Sequence, residues 1–174
     1  MKSKMETIEL ENFALREPML RWDSFTDRII GGRSDMEPVA LVQEEPDTFL
    51  RVKGHVSLRD GGGFLQSRLV LGSIVRAYDA SSWLGFRVRM RGSSGHWEAH
   101  LRTFDCRVPW AYYATGFEPD DTWQDFYFPF SGFTAVNVNE PLVDAKRIMS
   151  FAFVAAWHEF DALLDVERVG LFRH

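Results

Sequence analysis

The sequence predicts an all-β fold, a sandwich of two antiparallel sheets. Three observations predict it. Several stretches alternate apolar and polar residues with the period of a half-buried strand, and none keeps a helical period for long. Two glycine-rich corners, Gly31-Gly32 and Gly61-Gly62-Gly63, allow sharp turns that residues with a Cβ reach only at a cost. Aromatic residues make up 14% of the chain, with 15 Phe and 6 Trp. They favour strands and fill sandwich cores.

The elements follow in order. Ile8 and Leu10 alternate with acids and predict a short strand; Phe13, Leu15, Met19 and Leu20 then lead into Trp22, with Pro18 against a long helix. Residues 22–34, WDSFTDRIIGGRS, read as a short strand and a Gly-Gly turn. A turn at 35–38 and a short strand at 40–43 come next. Residues 49–58 alternate, with Leu50, Val52, Gly54, Val56 and Leu58 on one face. After the second glycine corner, 64–70 is a further strand, and 71–82 connects onward.

Residues 86–91 and 97–102 alternate most clearly, around the loop Gly92-Ser93-Ser94-Gly95. This predicts a β-hairpin in which Met90 faces Trp97, Val88 faces Ala99 and Phe86 faces Leu101. On its other side Arg89 meets Glu98 and Arg87 meets His100. Residues 107–117 predict a loop and then a strand, and 118–121 an acidic turn. Residues 123–130 form a strand whose Pro129 marks an edge or an end. A long connection follows, with a helical turn at 143–147. The apolar run 148–156 predicts a central strand covered on both faces, and alternation at 163–168 closes the chain. The total is about eight or nine strands, as a sandwich requires.

The chain has 174 residues, the length of one domain spanning 1–174, and can bury a full core. Its net charge of −5 and the lack of a basic stripe argue against nucleic-acid binding. Cys106 is the only cysteine, which excludes an internal disulfide and reads as a small buried hydrophobe. The N-terminal residues lack the pattern of a signal or transit peptide, and no run is long enough for a membrane span. A cytoplasmic protein is the expectation. No phosphate loop, dinucleotide fingerprint or nucleophile elbow occurs, so neither a cofactor nor catalysis is expected.

At this point the motifs point to a family. WDSFTDRIIGGRS resembles the hallmark of the complex I intermediate-associated protein family, which has Trp, Asp, two apolar residues, Gly-Gly, then Ser. GGGFLQSR at 61–68 is similar to its second signature. LRT at 101–103, the pair Tyr113 and Phe117, FPFSGF at 128–133, and Pro141-Leu142 fit in order, so the resemblance runs from about residue 8 to 172. Ile30 stands where the family usually has Met, and the glycine-rich segment that often follows FPFSGF is reduced. The resemblance implies a galactose-binding-like jelly roll. It also implies an assembly chaperone that holds a protein partner, a respiratory-complex subunit. A bacterial cytoplasmic member, or a mature form in the mitochondrial matrix, fits best.

Asp27, Arg33, Ser34 and Arg68 are candidates for a polar cluster at one end of the sandwich, or for an Asp27–Arg68 pair that fixes the glycine turns. Arg102 with Trp110, Tyr112 and Tyr113 adds loop-end groups for a partner protein or for stacking on a carbohydrate ring. Asp120 and Asp121 read as a solvated turn rather than a calcium site. On a strand, the Cα atoms of His96 and His100 stand roughly 13 Å apart, too far for one metal to bridge. A non-enzymatic binding protein leads, a carbohydrate-binding module is the alternative, and an enzyme with a concealed site comes third.

Overall fold

The computed structural model describes residues 4–15 and 20–174. Pro18 and Met19, named above, lie outside the described residues. Six strands occupy the first half of the chain: β1 (Glu6–Asn12), β2 (Arg21–Thr26), β3 (Asp35–Met36), β4 (Ala40–Glu44), β5 (Asp47–Val56) and β6 (Phe64–Val70). Seven follow: β7 (Gly85–Gly92), β8 (Trp97–Thr103), β9 (Tyr112–Phe117), β10 (Gln124–Pro129), β11 (Thr134–Val136), β12 (Ile148–Ala156) and β13 (Phe160–Arg173). No α-helix occurs among the described residues; the short helical pieces are 3-10 turns.

Two antiparallel sheets result. The first runs β10-β7-β13-β5-β3, with β4 also on β5 and β1 also on β13; the second runs β11-β9-β8-β12-β6-β2. The long β13 organises the first sheet. One of its sides pairs with β7, and the other pairs first with β5 and then with β1. Between the sheets lies one apolar core, in which Phe86 of β7 stacks on Phe151 of β12 at 4.2 Å. The polar ends of its large side chains are satisfied: Trp97 Nε1 donates to Ser93 O, and Tyr113 Oη donates to Glu140 O. Cys106 is buried, as its surroundings in sequence suggest.

The expected hairpin does not form. Strands β7 and β8 both show the expected alternation of burial. Yet β7 is flanked by β10 and β13, and β8 by β9 and β12, so the loop 92–95 carries the chain from one sheet to the other. Alternation reports only that one face is buried; it is the same for two strands paired side by side and for two facing strands. The consequence is large. Arg87, Arg89 and Arg91 face out on one side of the sandwich, and Glu98, His100 and Arg102 face out on the other. The expected Arg89–Glu98 and Arg87–His100 pairs are separated by both sheets, about 10 Å between their backbones alone.

Smaller differences have local causes. Leu58 lies beyond the end of β5 and is exposed. Residues 143–147 are not helical: Asp144 holds a turn there, accepting from Lys146 N and from Arg147 Nε. Pro129 ends the edge strand β10. Strand β12 is buried on both faces, but its outer face is covered by side chains of the neighbouring strands such as Phe64 and by no third layer among the described residues. That face is the floor of a groove.

Candidate functional site: a groove on the outer face of the second sheet

The groove is built on period-two alternation. Along β12 the inward positions carry Phe151 and Phe153, and the outward ones carry Ser150, Ala152, Val154 and Ala156. Large side chains inside and small ones outside leave a channel over the central strand. Four outward residues span about 20 Å at the rise of a strand. The flanking strands supply the banks. Register places Arg102, Ser150 and Val70 in one cross-strand row, His100, Ala152, Arg68 and Asp23 in the next, and Glu98, Val154, Gln66 and Phe25 in the third. The cavity measures about 540 Å³.

Its two ends are closed by aromatic residues that stand in solvent. Trp110, at one end, is 63% exposed, and Trp157, at the other, is 60% exposed. Ile29, Ile30 and Leu58 stand exposed beside Trp157 and the glycine corner. Trp157 also sits at φ 68°, in the left-handed region. For a bulky residue that costs of order 1–3 kcal/mol and persists only where surroundings enforce it. Here Trp157 N donates to Gly63 O, and its Nε1 donates to Glu98 Oε1 at 3.1 Å.

Glu98 is the hub of one bank. Its carboxylate meets His100 Nε2 at 2.7 Å and His96 Nε2 at 3.1 Å, on opposite oxygens. The contact with His100 holds its carboxyl at about 2; burial opposes, and His96 adds to the lowering. His100 in turn stacks on Tyr112 at 4.0 Å. The histidine rings thus meet one carboxylate, but no group of three such side chains among the described residues is placed to hold a metal ion.

The wall at the glycine corner is set by one carboxylate. Asp27 is fully buried and accepts from Ser34 N, Ser34 Oγ, Gly63 N and Phe64 N at 2.9, 2.6, 2.5 and 3.2 Å. Burial pushes this carboxyl up, but the hydrogen bonds outweigh it and hold it below the usual carboxylate range. A Cβ on Gly32 or Gly62 would lie 2.3 or 2.4 Å from Asp27 atoms. Gly31 and Gly61 adopt φ of +89° and +72°. One member of each adjacent pair therefore makes the turn, and the other makes room for the carboxylate.

The residues singled out in the sequence are divided among three places. Asp27 and Ser34 are together and buried. Arg33 is exposed and pairs with Asp60 at 2.6 Å. Arg68 does not reach Asp27; it pairs with Asp23 at 3.2 Å and lines the groove. The turn-fixing role expected of an Asp27–Arg68 pair falls instead to Asp27 with Ser34 and two backbone amides, because Arg68 projects from the outer face of β6. Arg102 lines the groove and donates to the carbonyls of Pro109, Cys106 and Val108, which shapes the loop that carries Trp110. Tyr112 faces the groove, whereas its neighbour Tyr113 faces the core. Asp120 is used within its own turn, accepting from Thr122 N. Sequence reasoning missed Glu98, His100, Trp157 and the β12 floor. The one signal for the floor was the size difference between alternate residues of 148–156.

The model of the family described as complex I intermediate-associated protein 30 matches residues 11–166. The chain belongs to this family. Both glycine signatures of the complex I intermediate-associated proteins thus lie at one wall of the groove, joined by Asp27. No curated protein matches the chain. Solved structures show the same fold. The family 11 carbohydrate-binding module of the cellulosomal cellulase Lic26A-Cel5E of Clostridium thermocellum aligns with a TM-score of 0.75 at 17% identity, covering 97% of this chain and 95% of that one. The family 11 module of that organism in complex with a β-1,3-1,4-mixed-linked tetrasaccharide aligns with a TM-score of 0.72 at 18% identity, covering 97% and 96%. A family 30 carbohydrate-binding module, also of C. thermocellum, aligns at 0.65 with 12% identity, covering 95% and 96%. The all-β sandwich of two antiparallel sheets is thus shared with these modules, which is consistent with the galactose-binding-like fold expected from the sequence.

Proposed function

We propose that this chain is a non-enzymatic binding protein of the assembly-factor type, which holds a segment of a partner protein in the groove of the second sheet. The observation that carries this reading is the rim. Ile29, Ile30, Leu58, Trp110 and Trp157 stand exposed around a floor of small side chains. A contiguous apolar surface of this kind is a mark of an interaction site, and Trp and Arg are favoured at interface centres. Family membership supports a respiratory-complex subunit as the partner. The polar groups of the groove support binding over catalysis: Glu98 is engaged by two histidines and Trp157, and Arg102 by three carbonyls. No nucleophile with an adjacent free base stands among them. The test is a comparative capture from native lysate on the full chain and on a Trp110→Ala/Trp157→Gly double variant. A protein retained by the first and lost on the second supports the reading; identical captures on both refute it.

A second reading is favoured by the stacked Tyr112–His100 pair beside Trp110, which offers flat faces to a sugar ring. Under it the groove takes an oligosaccharide, as the β-1,3-1,4-mixed-linked tetrasaccharide in complex with the similar family 11 module suggests. A glycan array on the full chain decides: retention of an oligosaccharide that the double variant fails to retain supports it, and an empty array removes it.

A further inference from the structure

The groove is lined by Arg68, Arg102 and His100, and the two carboxylates beside them, Glu98 and Asp23, are already engaged by neighbours, in a chain with 25 acidic residues and a net charge of −5. The surplus is concentrated toward the Trp110 end. Asp23 is the carboxylate partner of Arg68, and it is shared with Arg21. Arg102 has no carboxylate partner among the described residues; its three bonds go to backbone carbonyls. Two guanidiniums, Arg21 and Arg68, therefore share Asp23, while Glu98 on the same face is taken up by His96, His100 and Trp157. Of the Arg68 nitrogens only Nη2 is bonded, and Nε is buried with no partner. Burial pulls Arg102 below the usual arginine range, and the nearby Arg68 charge adds to the pull. Strands β6 and β8 flank β12, so the two side chains rise from opposite banks, roughly 10 Å apart at the backbone, with Ser150 and Ala152 between them.

Resting on the partner-protein reading above, we infer that the groove recognises an extended acidic-hydrophobic peptide segment, whose carboxylate sits between Arg68 and Arg102 and whose apolar residues pack on Trp110 and the exposed Ile29–Ile30 wall. Arginine is suited to this because a guanidinium keeps its charge and further N–H donors after part of it is bonded: Arg68 has Nε without a partner, and Arg102 contributes its charge from a side chain held in place by three carbonyls. The exposed branched aliphatics select peptide over glycan, since they offer shape to apolar side chains but no flat face to a sugar. The mismatch in charge is local to the Trp110 end: the ligand supplies the carboxylate that Arg102 lacks and that Arg68 shares with Arg21.

The test is selection from a random linear twelve-residue phage library on the immobilised full chain, beside the Arg68→Gln and Trp110→Ala/Trp157→Gly variants. The expected result is enrichment of Asp or Glu next to apolar residues. A selected peptide then loses about ten-fold in affinity when its acid is replaced by the amide. That loss shrinks to below about two-fold on Arg68→Gln. Salt gives a second measure on the unmodified protein, since affinity for the acidic peptide falls with ionic strength and affinity for its amide version does not. Peptides without acidic enrichment, or an acid-to-amide change without effect, overturn the acidic inference while leaving the protein-binding groove intact. Peptides that bind the double variant as well as the parent, or a chain that retains oligouronates but no peptide, overturn the groove reading itself.

Discussion

The outer faces of the two sheets are built from the same alternation and carry opposite arrangements of charge. On the first sheet nearly every charge is matched at short range. Asp165, only 2% exposed in its side chain, is held by Arg51 at 2.8 Å and Arg91 at 3.0 Å. Glu44 closes the same cluster, Arg89 meets Glu167, and Arg87 meets Asp125. Arg91 also lies 4.8 Å from the Trp123 ring centre. This face has little left to offer a partner. On the second sheet the arginines outnumber their carboxylates, the central strand presents small side chains, and the rim is apolar and exposed. Under the function proposed above, what separates a structural face from a recognition face is the state of its polar groups, matched or left over, and not how many charges it carries.

The largest expected effect concerns the wall that shapes the second face. Asp27→Ala orphans four donors around a buried site and is expected to cost about 3–4 kcal/mol, since each charged hydrogen bond is worth more than a neutral one. Chemical denaturation measures it. The sign with pH follows from the direction of the shift. A carboxyl held below its unfolded value contributes stability that is complete above about pH 4 and is lost as pH falls through the folded-state value. Asp27→Asn is therefore expected to flatten the acid limb of the stability profile. An unchanged limb would show that the corner does not rest on this charge.

The matched face gives the next effect. Asp165→Ala leaves Arg51 and Arg91 beside each other. Because both remain about a quarter exposed, the expected cost is about 2 kcal/mol rather than the larger value of a fully buried pair. Ligand retention by the groove is expected to be unchanged. If Asp165→Ala also abolishes binding, the two faces are not independent and the comparison fails. Trp110→Ala tests the opposite face with the opposite signature: stability within about 0.5 kcal/mol and at least a ten-fold loss of affinity, about 1.4 kcal/mol, read by calorimetry on the captured partner.

Much of the fold was legible in the sequence because burial leaves a period. The ranges expected for β6, β7, β8, β10 and β12 coincide with the observed strands to within a residue or two. Pairing leaves no such mark. Nothing in Arg87, Arg89 and Arg91 or in Glu98, His100 and Arg102 says that a four-residue loop joins two sheets instead of turning within one. The site was legible by the same measure. Arg68, Arg102, Trp110 and Tyr112 were named, and all line the groove. Asp27 and Ser34 were named for their motif, and their role is to close a corner. Glu98 and Trp157 stayed hidden because 59 residues separate them in sequence and only strand register brings them together. The floor stayed hidden because Ala152 and Val154 read as core in any apolar run, and only the lack of a third layer among the described residues places them beneath a groove instead.

The smallest expected effect discriminates most finely between the faces. Trp157 holds a left-handed backbone at φ 68° while its ring stands in solvent, 60% exposed. A residue placed for stability alone would not combine strain with exposure. Trp157→Gly removes the Cβ that makes this backbone costly. It also removes the indole bond to Glu98, which is solvent-facing and worth about 1 kcal/mol or less. The two contributions are of similar size, so stability is expected to stay level or to rise by up to about 1 kcal/mol. Affinity, in contrast, is expected to fall. A variant that melts no lower yet binds less tightly marks strain kept for recognition. If Trp157→Gly instead loses about 2 kcal/mol or more of stability, the indole is a structural clamp on Glu98, and the aromatic end of the groove belongs with the matched face.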